Sequence, residues 1–229
     1  MHGPEPEISS YIDHTLLKPA SRFAEIDQLC REAVQYEFAA VCVPPYTVKQ
    51  AAGQVKGTGI KTATVIGFPM GYSSISSKLD EIRGAMEEGA DELDVVINLI
   101  ALKNGQWDYL EKEMLELVKA IHQKGRIIKV IVESGLLTTD EIIRCCELYG
   151  RGGIDFMKTS TGYAEKGASV ADVQLMRKEL PGQVRIKASG GIRTYAFAME
   201  LIAVGAARIG CSGSLELLVQ EKEILMQAK

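Results

Sequence analysis

Eight times along this chain a short apolar run gives way to a stretch whose apolar residues recur three and four positions apart. The apolar runs fall at residues 11–13, 39–43, 62–66, 92–97, 127–132, 156–158, 185–188 and 208–210. The amphipathic stretches cover residues 24–38, 48–55, 77–88, 108–124, 139–149, 169–179, 194–204 and 214–227. Several of the short runs are continuous rather than alternating. That pattern marks strands buried on both faces, as in a parallel sheet covered by helices. Eight strands alternating with eight helices is the closing number of an α/β (β/α)8 TIM barrel. A doubly wound open sheet is the competing arrangement, but no linker to a second domain interrupts the pattern. The expectation is therefore a single domain over residues 1–229, with residues 1–7 as a flexible N-terminal tail. Element ends carry their own signals. Ser169 and Thr194 read as N-caps, and Thr138-Thr139-Asp140-Glu141 as a capped first turn. Gly89, Gly125, Gly150 and Gly205 read as C-terminal stops.

Composition narrows the function. A net charge of −4 and a pI near 5.5 give no basic footprint for nucleic acid and no polybasic patch for a membrane. No apolar run approaches the roughly 18 residues of a membrane helix. The N-terminal MHGPEPEISS lacks the apolar core of a signal peptide. The five cysteines are odd in number and include no C-x-x-C pair, so they read as reduced thiols, and a cytoplasmic protein is expected. His2, His14 and His122 are scattered, and no Cys/His group has metal-ligand spacing. Gly57-Thr58-Gly59 lacks the third glycine of a dinucleotide fingerprint, and no G-x-S-x-G elbow occurs. Neither a metal nor an organic cofactor is expected.

In a barrel the chemistry gathers at the C-terminal ends of the strands. Lys158 stands where the apolar run Ile154-Asp155-Phe156-Met157 meets the polar turn Thr159-Ser160-Thr161-Gly162. A buried ammonium must be paired or lose its proton. A lysine that loses it becomes an amine nucleophile able to form a Schiff base. Asp94 in Leu93-Asp94-Val95 and Lys187 in Ile186-Lys187-Ala188 pose the same burial problem. They read as a structural ion pair, as an acid–base pair, or as both, with the Lys187 charge lowering the Lys158 pKa. Asp13 follows the first strand, and Glu133 and Ser134 follow the fifth.

Ser189-Gly190-Gly191 follows the seventh strand, and Gly210-Cys211-Ser212-Gly213-Ser214 follows the eighth and opens the last helix. Loops in those two places, with a helix N-terminus, form the common phosphate site of this fold. Gly162 could close the same site, and Arg193 either assists or caps its helix.

Eight segments together resemble the deoxyribose-phosphate aldolases: YIDHTLLKP, AAVCVPP, TVIGFPMG, EGADELDVVINL, KVIVESGLLT, DFMKTSTGY, IKASGGIRT and GCSGS. The resemblance implies a metal-free class I aldolase on a (β/α)8 barrel. Its substrates would be a sugar phosphate, cleaved to glyceraldehyde 3-phosphate, and acetaldehyde, and it would work as a homo-oligomer, a dimer or larger. By resemblance Lys158 is the Schiff-base lysine, Lys187 the lysine that perturbs it and Asp94 the proton relay. Asp13 and Thr15 resemble residues that hold the lysine network and substrate hydroxyls. Thr161, Gly162, Gly190, Gly191, Ser212 and Gly213 resemble the substrate and phosphate cradle, and Cys42 a strand cysteine of relatives. Two departures stand out. Some members end in a tyrosine that reaches the site, whereas this chain ends Met226-Gln227-Ala228-Lys229. Tyr163 stands where some members carry a lysine near the phosphate, with Lys166 as its nearby substitute. Two other readings use the same residues. One is a barrel sugar-phosphate isomerase with Glu133 as base, and the other is a non-catalytic sugar-phosphate-binding protein.

Overall fold

The computed structural model describes residues 7–227. Eight parallel strands close a barrel in sequence order. They are β1 (Ile12–Thr15), β2 (Ala40–Val43), β3 (Lys61–Ile66), β4 (Glu92–Val96), β5 (Ile127–Ile131), β6 (Phe156–Lys158), β7 (Arg185–Ser189) and β8 (Arg208–Cys211). Around them lie α1 (Phe23–Gln35), α2 (Val48–Val55), α3 (Ile75–Glu87), α4 (Leu99–Lys103), α5 (Trp107–His122), α6 (Thr139–Arg151), α7 (Val170–Glu179), α8 (Tyr195–Ala203) and α9 (Ser214–Gln227). The barrel expected from the alternation is the fold. The short α4 was not anticipated; Asn98 caps it by accepting a hydrogen bond from the Ala101 N–H. Of the expected flexible tail only Glu7 is described, and it is exposed, its carbonyl accepting from the Ser10 N–H at 3.1 Å. Ala228 and Lys229 also lie outside the described residues. Among the described residues no helix is long and apolar enough to cross a membrane.

Side chains of register partners in a parallel sheet share a face, and successive residues alternate between faces. Ile12, Val41, Leu93, Ile128, Met157, Ile186 and Ile209 therefore point outward, into the apolar layer shared with the helices. Each such side chain contributes about 1.5–3 kcal/mol relative to exposure. The inner face is different. Asp94 pairs in register with Lys129, Lys158 with Lys187, and Lys187 with Arg208. A small apolar cluster of Cys42, Ala63 and Val65 lies on β2 and β3, with Val65 the register partner of Asp94. Strands that read as continuously apolar thus alternate after all, with charged residues inside.

Ser169, Thr194 and Thr138 cap α7, α8 and α6 as read, and Thr138 and Glu141 complete a capping box. Gly89, Gly125 and Gly205 stop their helices with φ of 109°, 64° and 116°. Gly150 does not. It lies inside α6, where a Cβ would stand 2.7 Å from Pro181 Cδ, so close packing and not chain reversal requires the glycine.

Candidate active site

A cavity of about 490 Å³ opens at the C-terminal end of the barrel, over β1, β6, β7 and β8. Thr15, Lys158, Thr161, Gly162, Lys187, Gly190, Gly191 and Ser212 line it. Asp13 and Asp94 lie wholly buried beneath these walls. Gly213 is off the lining and leads into α9, its Cβ position 3.1 Å from Glu216 Oε2. Asp13 belongs within β1 and not after it.

Under the cavity floor runs one continuous charge network. Asp94 Oδ2 accepts from Lys158 Nζ at 2.8 Å and from Lys187 Nζ at 2.7 Å. Its other oxygen, Oδ1, accepts from Lys129 Nζ at 2.7 Å. Lys187 also donates to Asp13 Oδ2 at 2.5 Å, and Asp13 Oδ1 accepts from Arg208 Nε at 2.6 Å. Lys129 reaches Glu92 Oε2 at 2.6 Å, and Arg208 Nη2 reaches the same oxygen at 3.1 Å. The network extends the expected Asp94–Lys187 pair to four cations, Lys129, Lys158, Lys187 and Arg208, facing three carboxylates, Asp13, Glu92 and Asp94. Lys129, Glu92 and Arg208 were not singled out in the sequence. The signal was present for Lys129, since Ile127-Ile128-Lys129-Val130-Ile131 interrupts an apolar run as Asp94 does.

One cation exceeds the carboxylates, and the surroundings decide which is held least firmly in its charged form. Lys158 touches a single carboxylate, whereas Lys129, Lys187 and Arg208 each touch two or more. Burial, reinforced by the Lys187 charge and opposed by Asp94, holds the Lys158 amine below the ordinary lysine value. Burial acts on Lys187 in the same sense, but Asp13 and Asp94 outweigh it and keep that ammonium protonated. Burial would raise Asp94, yet Lys129, Lys158 and Lys187 hold it well below the carboxylate range. Burial raises the Cys42 thiol, so it stays protonated near this network.

The far end of the cavity is built from glycines. Gly162, Gly190 and Gly191 have φ of 87°, 88° and 76°, which bare backbone adopts without strain. A Cβ on Gly190 would stand 3.1 Å from Gly167 Cα, and one on Gly210 2.9 Å from Ser189 Cβ and 3.1 Å from Lys187 Cε. Lys18 and Arg193 bring positive charge to the cavity, whose lining also includes Ser212. Lys166 is exposed and off the lining. Tyr163 lines the cavity, donates its hydroxyl to the Leu17 carbonyl at 2.8 Å and meets Phe68 edge-on at 5.4 Å. Glu133, the base of the isomerase reading, is 2% exposed and off the lining. Its oxygens accept from the Thr161 N–H at 3.2 Å and bond the Thr161 hydroxyl, so it holds the β6 turn. Its left-handed φ of 54° turns the chain into that position. Among the described residues no group of three His, Cys, Asp or Glu could hold a metal ion.

Known proteins resemble this chain in sequence and in fold. Residues 8–215 match the DeoC/LacD family aldolase model. The chain belongs to that family. The deoxyribose-phosphate aldolase of Thermococcus gammatolerans is 49% identical over 214 residues, 93% of this chain and 95% of that protein. The enzyme of the same description from Caldicellulosiruptor saccharolyticus is 45% identical over 94% of this chain and 98% of its own. Among solved structures, a putative deoxyribose-phosphate aldolase from Coccidioides immitis superposes with a TM-score of 0.90 at 38% identity, covering 96% of this chain and 88% of that one. An aldolase of this family is a lyase, and the isomerase and non-catalytic readings fall away.

Proposed function

We propose that this aldolase reversibly cleaves 2-deoxy-D-ribose 5-phosphate to D-glyceraldehyde 3-phosphate and acetaldehyde through a Schiff base on Lys158. The observation that carries the reading is the singular position of Lys158. It is the lysine of the network with one carboxylate partner, and it opens into the cavity.

The neutral Lys158 amine attacks C1 of the open-chain sugar, and the carbinolamine loses water to give an iminium. The C3 hydroxyl gives up its proton, and the C2–C3 bond breaks toward the iminium. Glyceraldehyde 3-phosphate leaves, the former sugar C3 now its aldehyde carbon, and an enamine of the sugar's C1 and C2 remains on Lys158. Protonation at C2 and addition of water free acetaldehyde and the amine. The iminium is the electron sink. The Asp94–Lys187 pair, joined to Lys158 through Asp94 Oδ2, which accepts from both lysines, moves the protons. Asp13 holds Lys187 in place. The glycine loops, Ser212, Arg193 and Lys18 take the phosphate at the other end of the cavity.

Trapping tests the central step. Acetaldehyde and borohydride should leave an ethyl group on Lys158, read by mass spectrometry of the digest. An adduct on Lys187 instead, or none on folded protein, would overturn the assignment. A related aldolase from Aeropyrum pernix, 32% identical with a TM-score of 0.88 over 95% of this chain and 92% of that one, is described as a unique tetramer. That supports a homo-oligomeric state for this chain, which light scattering at assay concentration would measure.

A further inference from the structure

Behind the glycine-rich end lies a second titratable cluster. His14 sits on β1 between Asp13 and Thr15, but its side chain faces outward and the residue is 3% exposed. Its Nδ1 is 2.9 Å from Ser214 Oγ, and its Nε2 is 2.8 Å from Glu32 Oε2 on α1. Ser214 is wholly buried, opens α9, and has its hydroxyl 3.1 Å from the Cys211 carbonyl oxygen. Cys211 and Ser212 line the cavity. The Cys211 thiol in turn donates to the Ile192 carbonyl in the β7 loop at 3.3 Å. A buried line of contacts thus runs from α1, behind β1, to the turn that ends the cavity. The trio has the residue types of a nucleophilic triad, but a serine with no exposed surface cannot meet a substrate, so its role is in the turn.

The hydrogen count gives that role a direction. An ionised carboxylate only accepts, so Nε2 carries a hydrogen. The Ser214 hydroxyl has one proton and two acceptors in reach, His14 Nδ1 and the Cys211 carbonyl. With neutral imidazole it satisfies one of them. With imidazolium, Nδ1–H donates to Ser214 Oγ, the hydroxyl proton goes to Cys211, and both bonds form together. The charged form also places a cation behind the turn. The charged groups facing the ring are Glu32 on α1 and Glu216 on α9. Arg31 acts on Glu32. The register partners on β2 and β8 are Val41 and Cys211, and the Phe38 ring packs at 5.1 Å.

We propose that His14, held by Glu32, is a positioning residue for the anionic end of the substrate, fixing the Cys211–Ser214 turn through Ser214. The proposal rests on the reading that this end of the cavity takes the phosphate. Burial, opposed by Glu32 and Glu216, pushes the His14 imidazolium below its ordinary value of 6.5. Anion binding through the turn should therefore strengthen as pH falls below that value.

The test compares wild type with His14→Asn, Ser214→Ala and Ser214→Thr. It reads inhibition by inorganic phosphate and kcat/KM for 2-deoxyribose 5-phosphate and for unphosphorylated 2-deoxyribose, over roughly pH 5 to 8. His14→Asn and Ser214→Ala should each weaken phosphate inhibition and lower kcat/KM for the phosphorylated sugar about three- to tenfold, the size of one net hydrogen bond. Activity on the unphosphorylated sugar should change far less, and Ser214→Thr, which keeps the hydroxyl, should restore the loss. The wild-type to His14→Asn ratio of phosphate inhibition should rise below pH 6.5, a ratio that cancels the titration of phosphate itself. Equal losses on both sugars, or none, would overturn the proposal. If His14→Asn does not fold, Ser214→Ala carries the same comparison. A wild type indifferent to phosphate would sink the phosphate assignment and this proposal together, an outcome visible before any variant is made.

Discussion

Lys158 and Lys187 are register partners on adjacent strands, both buried, both bonded to the same oxygen of Asp94, and yet their pKa values shift in opposite directions. The difference is Asp13, which holds Lys187 and leaves Lys158 alone. Replacing Asp94 with Asn removes the shared acceptor charge, and kcat should fall by about 10²–10⁴, the usual worth of positioned acid–base catalysis. A Lys129→Met variant tests the charge count more sharply. It leaves three cations for three carboxylates and frees Asp94 to favour the Lys158 ammonium. The Lys158 pKa should then rise, and the ascending limb of kcat/KM against pH should move to higher pH. A limb that stays or moves down would show that Lys129 does not act on the nucleophile. Stability should also drop by about 3–5 kcal/mol, because three buried carboxylates, Asp13, Glu92 and Asp94, lose a partner, so the profile must be taken where circular dichroism shows folded protein. Lys158 and its two expected partners were legible because a charge inside an apolar strand has few explanations. Lys129 carried the same signal as Asp94; Glu92 and Arg208 did not, because each opens its strand, where a charge is ordinary, and the Arg208–Asp13 pair spans 195 residues. Only ring closure brings them together. His14 looked like one of three scattered histidines for the same reason, as Ser214 stands 200 residues away.

At the level of elements, helix period and capping chemistry are local, and the eight strands, the caps of α6, α7 and α8, and three of four glycine stops were readable from the chain. Gly150 shows the limit. A stop signal and a packing contact need the same residue, and only the position of Pro181 tells them apart. Two alanine substitutions separate packing from chemistry. Gly150→Ala drives a Cβ to 2.7 Å from Pro181 Cδ and should cost about 1–3 kcal/mol in urea denaturation, the range for overpacking, with kcat/KM little changed. Gly210→Ala places its Cβ 2.9 Å from Ser189 and 3.1 Å from the Lys187 stem. It should lower kcat several-fold, since displacing a positioned group by a fraction of an ångström already weakens catalysis. Equal effects of the two changes on activity would mean that the Gly210 contact does not bear on Lys187.

Across the whole molecule the inner face of the barrel holds charge where the outer face holds hydrocarbon, so the fold and the chemistry respond differently to acid. Burial would raise Asp13, but Arg208, Lys187 and Lys129 hold it far below its ordinary 3.8, and Asp94 is held low by its own lysines. A carboxylate with a depressed folded pKa adds stability that is present in full above its unfolded value and is lost as pH falls toward the folded one. Acid should therefore leave the outer apolar layer intact while removing the attraction that closes the interior. The denaturation midpoint should fall steeply below pH 3.8. Each such group contributes a slope of up to about 1.36 kcal/mol per pH unit. In Asp13→Asn the protein starts less stable, because Lys187 and Arg208 lose an acceptor, but its slope below that pH should be shallower by about one group's share. Urea titrations of both proteins at a series of acid pH values measure the two slopes. Parallel slopes would mean that Asp13 titrates alike folded and unfolded, which the ion pairs that close the barrel on β1, β7 and β8 do not permit.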